Sequence, residues 1–366
     1  MIITSLRILK PNKNLLIDPR KEIKKVHNKP NNNNNNSKSC PTPDVSTALQ
    51  CFHKTIPNMT LRYPQDASKH AIEIYDAFQD IFNNTPYHCY AKYCGPWIEN
   101  YWIEHFRKNI TNNDCLSDVF GPYIPLLAPW TDFWIKKGGI RFPDKVLKIL
   151  RTDVPYITVS QNDVGLTLSD KNGSKIKFDN ILVLSAGGYG HVPVPLLIHE
   201  EPLRKKKLTN RSHLVSYVGS LKHAPGNMRQ KVHKELINSL SKNYTFYYGS
   251  EWRDTMENSY ISLSPRGFGR TSFHLMEILQ MGLIPLYVYD YLPWIPYRQL
   301  YEKKLGYMTS FSGLGSFINE LKNKSLTELK TLEDQIVSYR ESHLTVPGIL
   351  NQIQLFMKGG VGDLEC

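Results

Sequence analysis

Several signatures that would assign this chain quickly are missing. The six cysteines (Cys40, Cys51, Cys89, Cys94, Cys115 and Cys366) include no C-x-x-C pair and no zinc spacing. Free thiols in a reducing compartment are the expectation, not a disulfide framework. No run of roughly 18 apolar residues occurs, so no transmembrane helix is predicted. The opening MIITSLRILKPNK lacks the apolar length and small-residue cleavage site of a signal peptide. There is no GxxxxGK[ST] loop, no complete GxGxxG and no D-x-D triplet. RNP-like and zinc-finger motifs are absent too, and the one basic stripe is Arg204 to Lys207. That argues against a nucleic-acid-binding protein. The net charge of +12 still asks for anionic partners, and phosphorylated small molecules remain.

The length of 366 residues suggests two domains. Residues 1–60 read as weakly organised, with a short strand at Ile2 to Leu9 and a run of six asparagines. From Asp66 onward, Ala71, Ile74, Tyr75, Phe78 and Phe82 recur at helical spacing. PWIENYWIEHFRKNI repeats the period through Ile98, Trp102, Ile103 and Phe106. YIPLLAPW and YITVSQ read as short strands, and a strand–turn–strand is expected around Asn172-Gly173. Trp97, Trp102, Trp130 and Trp134 are core candidates, with stacking on sugar rings as the alternative. A Pro-rich, then basic, linker spans about 191–212. Strands and helices then alternate. HLVSYVGS, YTFYYGS, YISLSP and LIPLYVY are strands. GNMRQKVHKELINSLS is a helix with Met228, Val232, Leu236 and Ile237 on one side, and TSFHLMEILQMG is another. This alternation predicts a parallel sheet with ligands at the carboxyl ends of its strands. The boundaries expected are 61–205, 206–335 and a helical return over 336–366.

The stretch SLSPRGFGRTSFHLMEILQMGLIPLYVY, from Ser262, carries the chemistry. Arg266 and Arg270 sit in a strand-to-helix loop with Gly267 and Gly269, and Thr271 and Ser272 can cap the helix. Backbone N–H groups, a helix dipole and two guanidinium forks make an anion site. Glu277 lies in a nearly all-apolar helix, where a lone carboxylate is costly. Either His274, one turn earlier, pairs with it, or it accepts bonds from the hydroxyls of a bound nucleotide's ribose.

The same stretch resembles the signature of the exostosin-like glycosyltransferases: a C/S-P-x-G loop at Ser264 and Pro265, a basic-x-x-Glu helix, a G-x-x-P-V strand and a Pro–aromatic segment. SYVGSLKHAPGNMRQKVHKEL, PYITVSQNDVG and YCGPWIENYWIEHF resemble further family segments, and the likeness covers roughly 85–300. It implies an α/β protein of GT-B fold, with two Rossmann-like domains facing a central cleft and a C-terminal helix crossing back. It implies inverting transfer from a nucleoside diphosphate sugar, such as a UDP-sugar, to a glycan hydroxyl. Carried over, Gly219, Arg229, Ser264, Pro265, Arg266, Gly267, Arg270, Thr271, Ser272, Phe273, His274 and Glu277 would bind the donor. Arg229 alternatively reads as an exposed helix arginine, and His274 stands where many members have Arg. The base would be Asp163, with Glu104 as the alternative. Without D-x-D, no metal is expected, though a divalent ion stays open. Family members usually carry a membrane anchor; lacking one, this chain is expected in a cytoplasm, as for a viral or protist enzyme. A non-catalytic glycan- or nucleotide-binding descendant is the rival reading.

Overall fold

The computed structural model describes residues 40–53, 58–82, 88–90, 93–111, 115–140, 142–166, 179–360 and 362–366. The strand expected at Ile2 to Leu9, the Asn-rich loop and the turn at Asn172-Gly173 lie outside these residues. No helix among the described residues is long and apolar enough to cross a membrane.

The first lobe begins earlier than the weakly organised segment allowed. Ser46–His53 forms helix α1, whose Ala48, Cys51 and Phe52 are buried. Helices α2 (Ala67–Phe82), α3 (Ile98–Thr111) and α4 (Leu116–Phe120) follow, then strand β1 (Ile124–Pro125) and helices α5 (Trp130–Lys137) and α6 (Asp144–Ile149). Strands β2 (Tyr156–Ser160), β3 (Ile181–Ser185) and β4 (Val192–Pro193) complete a parallel sheet in the order β1-β2-β3-β4. Every residue of β2 and β3 is buried, as expected of a parallel strand covered on both faces.

The second lobe follows the predicted alternation. It runs β5 (His213–Val218), α7 (Met228–Leu240), β6 (Tyr244–Tyr247), α8 (Trp252–Glu257), β7 (Ser259–Pro265), α9 (Phe273–Gln280), β8 (Ile284–Tyr289), α10 (Arg298–Leu300) and β9 (Tyr307–Ser310). All its pairings are parallel, in the order β6-β5-β7-β8-β9. In α7 the buried stripe is Met228, Val232, Leu236 and Leu240. Ile237, expected on it, is 48% exposed because the period continues to position 240. Helix α9 buries Leu275, Met276, Ile278 and Leu279, each contributing about 1.5–3 kcal/mol. It stops where Gly282 takes a positive φ of 70°.

Helices α11 (Leu314–Leu321), α12 (Leu326–Tyr339) and α13 (Val346–Met357) end the chain. Glu333 of α12 is buried between Arg211, at 2.7 Å, and Arg204, at 3.0 Å, which anchors that helix to the second lobe. Helix α13 then crosses back and packs on α3 and α4 of the first lobe. The architecture is therefore α/β with two parallel, Rossmann-like sheets and a returning C-terminal helix, the layout expected of a GT-B fold.

The cysteines require a correction. All six pair, as Cys40–Cys115, Cys51–Cys366 and Cys89–Cys94. Two pairs join positions 75 and 315 residues apart. Their proximity is a product of the fold, with Cα–Cα separations of 5.3 and 5.5 Å, and local spacing carries no trace of it.

Candidate functional site

In the second sheet, β6 and β7 flank β5, so the chain reverses direction between β5 and β7. Ligands of open α/β sheets bind outside the carboxyl ends of strands at such a reversal. The loops leaving those two strands line a cleft of ≈ 610 Å³. Val218, Gly219, Ser220 and His223 come from the first loop; Pro265, Gly267, Phe268, Thr271 and Ser272 come from the second. The opposite wall belongs to the first lobe, through Tyr90, Asp163, Leu196 and Ile198.

Helix α9 starts at this cleft. Its residues Phe273, His274 and Glu277 are all on the wall. Ser272 precedes the helix in extended conformation but does not cap it. Its hydroxyl instead meets that of buried Ser264 at 3.1 Å. The positive end of the helix dipole is therefore not offset by this side chain. The two readings of Glu277 prove compatible. His274 Nδ1 lies 2.6 Å from Glu277 Oε2, and both side chains line the cleft at about 15% exposure. A carboxylate can only accept, so Nδ1 carries the proton. In the neutral ring Nε2 is then a lone-pair acceptor, and it has no protein partner.

Arg229, at the start of α7, is the guanidinium that lines the cleft. It is not an exposed helix arginine. Its Nε donates to the Arg266 carbonyl at 2.9 Å and its Nη1 to the Ser220 carbonyl at 3.1 Å, so it ties the two cleft loops together. Burial lowers its pKa, opposed by Tyr217 and Asp163. Arg266 and Arg270 are placed differently from the expectation. Arg266 is buried, and its guanidinium donates to the carbonyls of Gly269 (3.0 Å) and Phe268 (2.9 Å) and pairs with Asp290 (2.6 Å). It shapes its own loop from inside. Arg270 leaves the cleft and lies 4.7 Å over the Tyr189 ring. Loop spacing alone could not show that both forks turn away from the helix start.

The loop also closes against the other lobe. Arg270 N–H donates to the Gly187 carbonyl at 2.9 Å. A Cβ on Gly269 would collide with that carbonyl and stand 2.8 Å from Asp163 Oδ1. Gly188 has φ 115°, and a Cβ there would strike Arg270. These glycines serve contact between lobes, whereas sequence suggested close approach of a ligand to the backbone. Trp294 Nε1 adds another tie, donating to the Ser185 carbonyl at 2.9 Å.

Asp163 follows β2 and reaches the cleft from the first lobe. Burial raises its pKa, while the Gly269 N–H and the charges of Arg266 and Arg229 oppose the rise. A desolvated carboxylate with oriented donors is a suitable proton acceptor. Glu104 is not near. It is on the exposed side of α3, paired with Arg107 at 2.8 Å. Sequence reasoning missed Glu99 on the same helix. That residue is fully buried, and burial lifts its pKa to about 7. Its Oε1 accepts from the backbone N–H groups of Thr131 and Gln161, both at 3.0 Å, and from the Thr131 hydroxyl at 2.5 Å. Glu99 thereby holds the end of β2 that carries Asp163. The signal was in the spacing: Glu99 shares the buried stripe of Trp102 and Phe106, whereas Glu104 falls off it.

A hollow of ≈ 560 Å³ behind the second lobe is lined by Lys205, Lys206, Arg253 and Glu257. Glu257 accepts from the backbone N–H groups of both lysines, and Arg253 pairs with Glu201.

No family model matches the sequence, and no curated protein matches it. Among solved structures, TarM is similar at TM-score 0.35 and 10% identity, over 64% of this chain and 60% of TarM, less than two thirds of that protein's length. The glycotransferase of kitacinnamycin is similar at TM-score 0.27 and 8% identity, over 86% of this chain and 74% of that one. Likenesses at these scores carry no functional weight.

Proposed function

We propose that the protein transfers a glycosyl group from a nucleoside diphosphate sugar, such as a UDP-sugar, to an acceptor hydroxyl, with inversion. One juxtaposition carries this reading. A cleft at the sheet's reversal point presents a helix start, Arg229 and the His274–Glu277 pair on one wall and a desolvated Asp163 on the other.

Glu277 accepts from the ribose hydroxyls, and His274 orients it. The diphosphate lies across the start of α9, within reach of Arg229. Asp163 takes the proton of the acceptor hydroxyl as its oxygen attacks the anomeric carbon in line. The bond from that carbon to the phosphate oxygen breaks, and its electron pair leaves on the diphosphate. Arg229 and the helix dipole stabilise the charge that develops there, a role that often dominates catalysis. Arg266 contributes indirectly, by fixing the loop from which α9 springs. This chemistry requires no metal in the proton transfer.

The test is a panel of nucleotide sugars scored by thermal shift and by donor hydrolysis. One base, and then one sugar, should raise Tm. Asp163→Asn should abolish transfer while the nucleotide still raises Tm. Normal turnover by that variant removes Asp163 from the mechanism. Nucleotide binding without hydrolysis or transfer by the native protein would favour the non-catalytic reading, and no thermal shift with any nucleotide would end the donor reading.

A further inference from the structure

Asp163 faces a second cavity besides the cleft. This hollow of ≈ 420 Å³ is lined by Tyr90, Trp134, Asp163, Val164, Tyr189 and Phe268. Both cavities are of the size that holds a small ligand, roughly 300–1,000 Å³. They share Tyr90, Asp163 and Phe268, so the carboxylate stands where the two meet.

The second cavity is walled by aromatic rings that the fold leaves in water. Phe268 is 52% exposed, Tyr189 46% and Tyr90 38%. Rings of this size are normally buried, and a cluster left open marks a binding surface. The rings are also held in place. Tyr90 packs edge-on against Trp134 with centroids 6.1 Å apart. The disulfide Cys89–Cys94 closes the short loop that carries Tyr90, and the backbones of Tyr90 and Tyr93 pair across it. The Arg270 guanidinium lies over Tyr189, and His223 packs on Phe268 at 5.3 Å. Preorganised rings lose little freedom when a ligand stacks on them.

We propose that this aromatic shelf is the acceptor subsite and that it takes a carbohydrate ring. A pyranose has a C–H face that stacks on an aromatic ring and a rim of hydroxyls that needs polar partners. The shelf supplies both, since rings alternate here with the Asp163 carboxylate and the phenol groups of Tyr90 and Tyr189. An acyl chain would want a continuous apolar groove, and this shelf is interrupted by a carboxylate. A sugar stacked on Tyr189 and Phe268 brings a hydroxyl to Asp163 at the point where the shelf meets the donor cleft. For its chemistry the proposal rests on the glycosyl-transfer reading, but sugar binding at the shelf can be measured without a donor.

The test uses the full chain without nucleotide. Tryptophan fluorescence and calorimetry would follow binding of a panel of hexasaccharides built from glucose, xylose, galactose, N-acetylglucosamine and glucuronate. At least one should bind, and Tyr189→Ala and Phe268→Ala should each weaken it about tenfold, the usual scale for one lost stacking contact. Both positions are exposed, so circular dichroism should show the native fold. A Trp134→Phe variant, which keeps a ring, should weaken binding less than either. The proposal is overturned if no member of the panel binds, or if folded Tyr189→Ala and Phe268→Ala bind as the native chain does. Nucleotide binding is measured on the same samples. Sugar binding lost in these variants with no nucleotide binding would keep the shelf and sink the donor reading; the converse result would do the reverse.

Discussion

Two glutamates on α3 show how much one position on a helix decides. Glu104 is paired in solvent. Glu99 is enclosed, accepts three bonds and still has an Oε2 with no partner. Burial raises its pKa from 4.5 to about 7. Between those values the folded chain binds a proton that the unfolded chain has released. Stability from this residue is therefore lost as pH rises through that window, and it levels off above about 7. The span corresponds to about 3 kcal/mol. Glu99→Gln stays neutral and keeps the accepting oxygen. The difference in unfolding free energy, variant minus native, should thus grow in the variant's favour by about that amount between pH ~5 and ~8. Urea titrations at several pH values measure it, and a difference that does not change with pH would show that Glu99 does not hold that proton. Periodicity made Trp102 and Phe106 legible as core, and it contained the position of Glu99 as well. The functional resemblance drew attention instead to Glu104, which the helix turns outward.

At the scale of elements, the alternation of strands and helices in the second lobe was readable from hydrophobic runs and capping residues. Glu277 was conspicuous because an apolar helix makes a carboxylate costly. The loop from Arg266 to Ser272 was not readable in the same way. Its course depends on its own carbonyls folding around the Arg266 guanidinium and on a seam with Gly187, a contact between elements far apart in the chain. Gly269 is the critical point of that seam, because a methyl group there meets both the Gly187 carbonyl and Asp163. Gly269→Ala should displace the carboxylate by a fraction of an ångström or more. Transfer should then fall by up to about 100-fold, as misplacements on that scale can cause. Steady-state kinetics with a nucleotide thermal shift alongside would check this; kcat at the native level would show that the seam tolerates a side chain and does not set the geometry.

For the whole molecule, disulfides fasten segments far apart in the sequence. Cys51–Cys366 links α1 to the last residue, and Cys40–Cys115 joins the start of the described chain to the residue before α4. Crosslinks over such long loops typically contribute about 2–4 kcal/mol each. The intact protein should take up no alkylating reagent when denatured without reductant. After reduction it should take up six groups and unfold at a lower urea concentration. Labelling of six thiols without reductant would restore the free-thiol reading. Disulfides persist in oxidising compartments and are rare where glutathione keeps thiols reduced. The reducing compartment expected from free thiols therefore loses its support.

The seam between the lobes also bears on when the carboxylate is active. Asp163 belongs to the first lobe, and the N–H bonded to it belongs to the second. Contact between the lobes buries this carboxylate, which raises its pKa, and the Gly269 N–H fixes its direction. If the lobes part, water returns and the fixing bond is lost. If Asp163 is the base proposed above, proton abstraction would be interlocked with contact between the lobes. On the glycosyl-transfer reading proposed above, a donor in a cleft whose lobes had parted would meet a hydrated, unaimed carboxylate and would be spared wasteful hydrolysis.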